Sequence, residues 1–242
     1  MNQGYFTKEI EIEFCDCDNQ KRAKIATIMK HMADIAGLAY ADKGYSHTWL
    51  WEHNFVFLLS RVSIHIDRMP KADEKLVLHT WEHDIKGPLF YRNFAFYDVN
   101  ETKIIEAATA WVLVNPTTRH IQKPSAFTGN TNLMPEKIVH TIPLSKFKID
   151  EILEKKGTRK IVYSDIDANN HVYNAVYAAI ACDFLPQEMM DKKLTDFRIN
   201  FKQEAILGQN LIIKLNCMNN KTVVIGNLNQ IQSFECEFTF DK

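Results

Sequence analysis

Tyr163-Ser164-Asp165-Ile166-Asp167-Ala168-Asn169-Asn170-His171-Val172-Tyr173-Asn174 holds an unusual density of polar side chains and runs straight into a segment of helical spacing. Its opening is found again, altered, much earlier in the chain. Cys15-Asp16-Cys17-Asp18 falls on Ser164-Asp165-Ile166-Asp167 at an offset of 149, and the same offset carries Asp34 onto Asp183. Further on, Arg61-Val62-Ser63-Ile64 meets Arg198-Ile199-Asn200-Phe201 at an offset of 137. Each anchor is short, but they occur in the same order with a helical segment between them, which indicates an internal duplication.

The patterns on either side of the anchors agree with two copies of one plan: a short strand, a polar loop, a helix, then strands. In the first copy Ile25, Ile28, Met29, Met32, Ala36, Ala39 and Tyr40 recur at helical spacing, with Gly44 placed as a C-terminal stop. In the second, Val172, Val176, Ala179 and Ile180 do the same and Pro186 closes the segment. Runs rich in β-branched and aromatic residues follow each helix: 55–66, 75–83, 90–98 and 103–114, then 197–204, 211–217, 222–228 and 231–240. Both sets read as antiparallel meanders. The expected fold is α+β, one long helix wrapped by an antiparallel β-sheet, made twice.

Between the copies the chain gathers Pro116, Pro124, Pro135 and Pro143 around Gly129-Asn130-Thr131-Asn132, residues that break strands and form turns. The expected division is an N-terminal unit over 1–128, a linker over 129–157 and a C-terminal unit over 158–242.

Composition narrows the function. With 46% hydrophobic residues, 24% charged residues and a formal net charge of -1, the chain can fill a large core and has no overall attraction to nucleic acid or anionic lipid. Cys15, Cys17, Cys182, Cys217 and Cys236 are odd in number and lack a Cys-x-x-Cys pair, so they read as reduced thiols with no metal site. No cationic, apolar leader and no run of about 18 apolar residues is present, so a cytoplasmic setting without membrane insertion is expected.

The opening stretch carries the chemistry. If its loop is extended, the alternate residues Asp167, Asn169 and His171 project to one side, beside a helix N-terminus whose free N–H groups suit a developing oxyanion. Imidazole titrates near neutrality and can act as base, Asn169 can polarise a carbonyl or position water, and Asp167 can orient the site. The plainer reading is that Asp167 or Asn170 caps the helix and His171 satisfies a buried hydrogen bond. The twin loop tilts the balance toward chemistry, because it has Asp18, Gln20 and Arg22 at the matching positions. A histidine required by the fold would be expected in both copies.

Ser164 to Asn174 resembles the signature of the plant and bacterial acyl-acyl carrier protein thioesterases, and the likeness extends to Leu59-Ser60-Arg61 and to 111–119. The resemblance implies a tandem double hot-dog fold, no cofactor, and hydrolysis of an acyl-carrier thioester to free fatty acid. It makes Asp167, Asn169 and His171 the catalytic set and adds Glu204, placed on a strand after the second helix, where Phe201-Lys202-Gln203-Glu204 matches. Read alone, Glu204 could equally be an exposed strand-end carboxylate. Many plant members carry a cysteine directly after this glutamate; here Ala205 removes a thiol nucleophile and leaves attack by water or by a carboxylate open.

The resemblance also puts the acyl chain in the N-terminal unit. Met29, Met32, Trp49, Phe55, Phe57 and Trp81 are the candidate binding residues, each of which could as well be ordinary core. The partner implied is acyl carrier protein bearing a fatty acyl phosphopantetheine. That carrier is acidic, so Lys155, Lys156, Arg159 and Lys160 are candidate docking residues, with Lys21, Arg22 and Lys24 as a second cluster. A homodimer is allowed but not required. Two rivals stay in play: a hot-dog hydratase or dehydratase, and a non-catalytic acyl-thioester binding module.

Overall fold

The protein is seen in a computed structural model that describes residues 4–147, 149 and 152–241, so the chain's first three residues, Lys148, Asp150 and Glu151 of the expected linker, and Lys242 lie outside the described part. The first unit contains β1 (Phe6–Glu11), α1 (Ile25–Asp42), α2 (His47–Glu52), β2 (Val56–Ile66), β3 (Lys75–Lys86), β4 (Leu89–Tyr97) and β5 (Lys103–Val114). The second contains β6 (Glu154–Lys160), α3 (Asn174–Asp183), α4 (Gln187–Met190), β7 (Leu194–Phe201), β8 (Asn210–Met218), β9 (Lys221–Leu228) and β10 (Ile231–Phe240). The boundary expected between 157 and 158 falls inside β6. Among the described residues no helix is long and apolar enough to cross a membrane.

The ten strands of the described residues join one antiparallel sheet in the order β1-β3-β4-β5-β2-β7-β10-β9-β8-β6, so the two halves read the same from either edge inward. They meet where β2 pairs with β7: Val62 lies opposite Ile199, and Arg61 and Ser63 lie opposite Asn200 and Arg198. These are the residues related by the offset of 137, so a pseudo-two-fold axis passes beside Val62 and Ile199. This is the tandem hot-dog arrangement, with α1 and α3 held against one sheet.

α1 buries Ile25, Ile28, Met29, Met32, Ile35, Ala36 and Ala39 on a single face, as apolar residues three and four apart must. α3 is much shorter, 10 residues against 18. It starts at Asn174 because Val172 is held in a bridge with Ile166 and donates its N–H to Ala205 O. One apolar core runs through both units, and a smaller, aromatic cluster around Phe55, Phe90, Leu113 and Phe127 belongs to the first alone. Phe197 on β7 is fully buried and packs its ring 4.9 Å from that of Phe238. Phe197→Ala is expected to cost about 3–5 kcal/mol, read as a lowered midpoint in urea denaturation.

Candidate active site

The two polar loops have the same backbone. At 167–171 Asp167 N–H donates to His171 O (2.9 Å) and Asn170 N–H to Asp167 O (3.0 Å); at 18–22 Asp18 N–H donates to Arg22 O (2.7 Å) and Lys21 N–H to Asp18 O (3.0 Å). Asn170 and Lys21 both turn with positive φ, 63° and 61°. The loop is therefore a closed turn rather than an extended strand, and asparagine tolerates its left-handed residue well. In each loop the aspartate Oδ1 accepts the N–H two residues on, Asn169 at 2.8 Å and Gln20 at 2.9 Å.

The side chains then diverge. Arg22 closes on Asp18 in an ion pair at 2.8 Å and donates to Met190 O, which spends the first loop on structure. In the second loop Asp167 Oδ2 lies 3.4 Å from the Asn169 amide nitrogen, and His171 Nε2 lies 3.3 Å from Glu204 Oε2. Asp167 thus orients Asn169, while the imidazole pairs with the glutamate.

Glu204 sits three residues past the end of β7, not on the strand, because Lys202 and Gln203 both donate their N–H groups to Ser233 O and the chain peels away. Ala205 anchors that segment: its carbonyl takes the Val172 N–H and its own N–H donates to Tyr177 Oη at 2.8 Å. The loop holding His171 and the segment holding Glu204 are thereby pinned to each other. Ala205 is fully buried. Burial also raises the Cys17 thiol, pushes Cys182 up to about 12 and raises Cys236 well above the ordinary thiol range, which disfavours the reactive thiolate at all three.

One contact comes from the other unit. Arg119 forms an ion pair with Glu204 Oε2, the oxygen that also faces His171. The turn after β5 presents it: Asn115 Oδ1 accepts the N–H groups of Thr117 and Thr118, and Arg119 adopts a φ of 60°. Sequence reading placed 111–119 within the resemblance but gave Arg119 no role, since the separation of 85 residues hides the pairing. The turn signal Asn-Pro-Thr-Thr was the available clue.

These groups lie on the wall of a cavity of about 1400 Å³ that continues into the first unit past Tyr40, Leu50, Phe55, Phe57, Phe90 and Trp111. Its size exceeds the usual ligand pocket of about 300–1,000 Å³. Asp167, Asn169, His171 and Glu204 all line it, as do Phe55 and Phe57. Trp49 instead packs within the aromatic cluster beside the cavity and stacks on His53. Met29 and Met32 face a separate void of about 10 Å³, and Trp81 is core, its indole N–H donating to Lys137 O at 2.9 Å.

Lys155, Lys156, Arg159 and Lys160 stand on the edge strand β6, and the described cavity lining does not include them. Arg159 is committed to Asp165 at 2.8 Å and Lys156 to Glu154 at 2.8 Å. In the other basic cluster Lys24 donates to Cys15 O at 3.3 Å.

Fold and site together define a tandem hot-dog protein with an imidazole–carboxylate pair on an apolar cavity. The chain matches the acyl-ACP thioesterase N-terminal domain over residues 3–125 and the acyl-ACP thioesterase C-terminal domain over residues 149–239, and it belongs to the acyl-ACP thioesterase family. A palmitoyl-acyl carrier protein thioesterase of Arabidopsis thaliana chloroplasts is 22% identical over 96% of this chain and 59% of its own length. An oleoyl-acyl carrier protein thioesterase of the same plant is 22% identical over 86% of this chain and 63% of its own. The chain thus spans about three-fifths of these curated relatives. In fold it is similar to an acyl-ACP thioesterase from Bacteroides thetaiotaomicron (TM-score 0.81, 24% identity, 98% of both chains). It is similarly close to the 12:0-ACP thioesterase from Umbellularia californica (TM-score 0.80, 14% identity, 100% and 98% of the two chains).

Proposed function

We propose that the protein hydrolyses the thioester of a fatty acyl chain carried on acyl carrier protein. The observation that carries this reading is the His171–Glu204 pair, 3.3 Å apart, on the wall of a cavity that runs on into an aromatic pocket large enough for an acyl chain. His171 is the base. With its proton on Nε2, which faces Glu204 Oε2 at 3.3 Å, the ring keeps on Nδ1 the lone pair that takes a proton from water, the logic of a base fixed by an orienting carboxylate. Glu204 Oε2 is already engaged by Arg119 and His171, which makes the carboxylate a poor nucleophile and favours water as the attacking group. Asn169, oriented by Asp167, donates to the thioester oxygen as negative charge develops there. The thiolate leaves without help.

In this division of labour the acyl chain lies in the unit over 1–128 and the chemistry in the unit over 158–242. Phe55 and Phe57 form the chain's walls, and Lys155 and Lys160 on β6 are the remaining docking residues for the acidic carrier. The five cysteines, unpaired among the described residues, agree with a reducing, cytoplasmic setting.

The test is release of free thiol and free fatty acid from a panel of acyl-carrier thioesters. Hydrolysis is expected to yield both in equal amounts. A hydratase or dehydratase would change the acyl chain and leave the thioester intact, and a binding module would bind without product; either result would sink the proposal.

A further inference from the structure

The first unit buries charge where its twin buries none. Glu82 on β3 and Arg92 on β4 face each other across the hairpin and are 7% and 5% exposed, on the sheet face that also carries Leu78, Thr80 and Phe94. The matching pair in the second unit follows from the pairing. Ile10 and Arg159 are related by the offset of 149, and they pair with Leu76 and Leu211 respectively. Counting along β3 and β8 from there, Glu82 corresponds to Cys217, and across the hairpins Arg92 corresponds to Thr222. The second copy of the scaffold has an uncharged pair at this place, of which Thr222 is buried while Cys217 lies exposed near the end of β8.

The charged pair is incompletely satisfied. Glu82 Oε2 takes a hydrogen bond from Lys43 Nζ at the end of α1 and another from Asn132 N–H at 2.8 Å, and Arg92 Nη1 donates to Thr80 Oγ1 at 3.2 Å. Glu82 Oε1 and Arg92 Nη2 are both buried and 3.7 Å apart, neither meets a partner in good hydrogen-bond geometry, and the Tyr40 hydroxyl is the neutral group set against both charges. Burial works to raise the Glu82 carboxyl, but the charge of Arg92 and the hydrogen bond from Lys43 outweigh it and hold the group below the usual range. The guanidinium also lies 5.1 Å from the centre of the Tyr40 ring. A buried ion pair is weak support for stability, since apolar replacements of similar volume are often neutral or better. Its retention in one copy calls for another reason.

Tyr40, Glu82 and Arg92 line the same cavity as His171. We propose that Glu82 and Arg92 form a subsite for acyl thioesters whose chain bears a hydroxyl group toward its far end, an inference that rests on the thioesterase reading above. A hydroxyl is one acceptor and one donor in a single atom, so it can give its proton to Glu82 Oε1 while taking one from Arg92 Nη2. A methyl end can do neither and leaves both groups as they are. The Tyr40 hydroxyl, set against both charged groups, is the group whose place the ligand hydroxyl takes.

The experiment compares kcat/KM for two acyl-carrier thioesters of equal length, one unsubstituted and one with a terminal hydroxyl, using the wild-type chain and the double variant Glu82→Leu, Arg92→Met. The wild type is expected to favour the hydroxylated chain by about 10–10²-fold, the net worth of a hydrogen bond to a charged group. The double variant is expected to lose that preference or reverse it. Binding of the free fatty acid and its hydroxylated counterpart is measured calorimetrically on the same two proteins. Selective binding of the hydroxylated acid without any turnover would retain the subsite and remove the thioesterase reading. Turnover with no hydroxyl preference in the wild type, or a preference unchanged in the double variant, would overturn the subsite.

Discussion

His171→Ala is expected to lower kcat by about 10²–10⁴-fold, the usual worth of a positioned general base, while acyl binding persists. The twin loop explains why the loss would be chemical rather than structural. With the same turn and the same aspartate, the first copy folds around Arg22 at the position of His171, so the backbone does not depend on an imidazole. The ring is 23% exposed and lines the cavity. Steady-state rates with an acyl-carrier substrate, together with an urea midpoint for the variant, separate the two effects. A folded variant that turns over normally would remove His171 as the base.

Much of the fold was legible because a duplicated chain reports its own architecture twice. The offset of 149 relates the short 3₁₀ turn at Phe14–Asp16 to that at Tyr163–Asp165, and the bridge Cys17–Ala23 to Ile166–Val172. The offset of 137 lands on the one pair of strands that joins the units. Periodicity gave most of the buried face of α1: six of the seven residues at helical spacing are buried, Tyr40 is only partly so, and Ile35 joins the face from outside that set.

What stayed hidden in the sequence is long-range. Local pattern marked 197–204 as a strand, but the departure of Glu204 from the sheet depends on Ser233, 29 residues later, which no window contains. The aromatic and methionine candidates divided between cavity and core because hydrophobicity is the same signal in both places: Phe55 and Phe57 line the cavity, while Met29, Met32 and Trp81 pack behind it. Arg159 looked available as part of a basic run, yet its partner Asp165 lies on the very next turn. The Glu82–Arg92 pair was invisible as a unit because β3 and β4 separately read as ordinary strands.

Glu204→Gln is expected to lower kcat by about 10²–10⁴-fold, by analogy with the orienting carboxylate of a hydrolytic triad, whose amide replacement favours the wrong tautomer of the base. Arg119→Ala should cost about tenfold through the same group. If Arg119 acts only by holding Glu204 Oε2, its removal from the Glu204→Gln protein should change nothing further, a coupling of about 0.5–3 kcal/mol in a double-mutant cycle. Added guanidinium ion should then restore part of the activity of Arg119→Ala and none of that of the double variant, a response that a merely structural arginine would not give. Additive losses in the cycle would mean that Arg119 meets the substrate by itself. An active Glu204→Gln protein would remove the carboxylate from the reaction, and His171 would need another orienting group, for which Asp167 is the nearest in sequence but is already committed to Asn169. The cycle therefore tests whether the first unit, through one arginine, completes the site that the second unit carries.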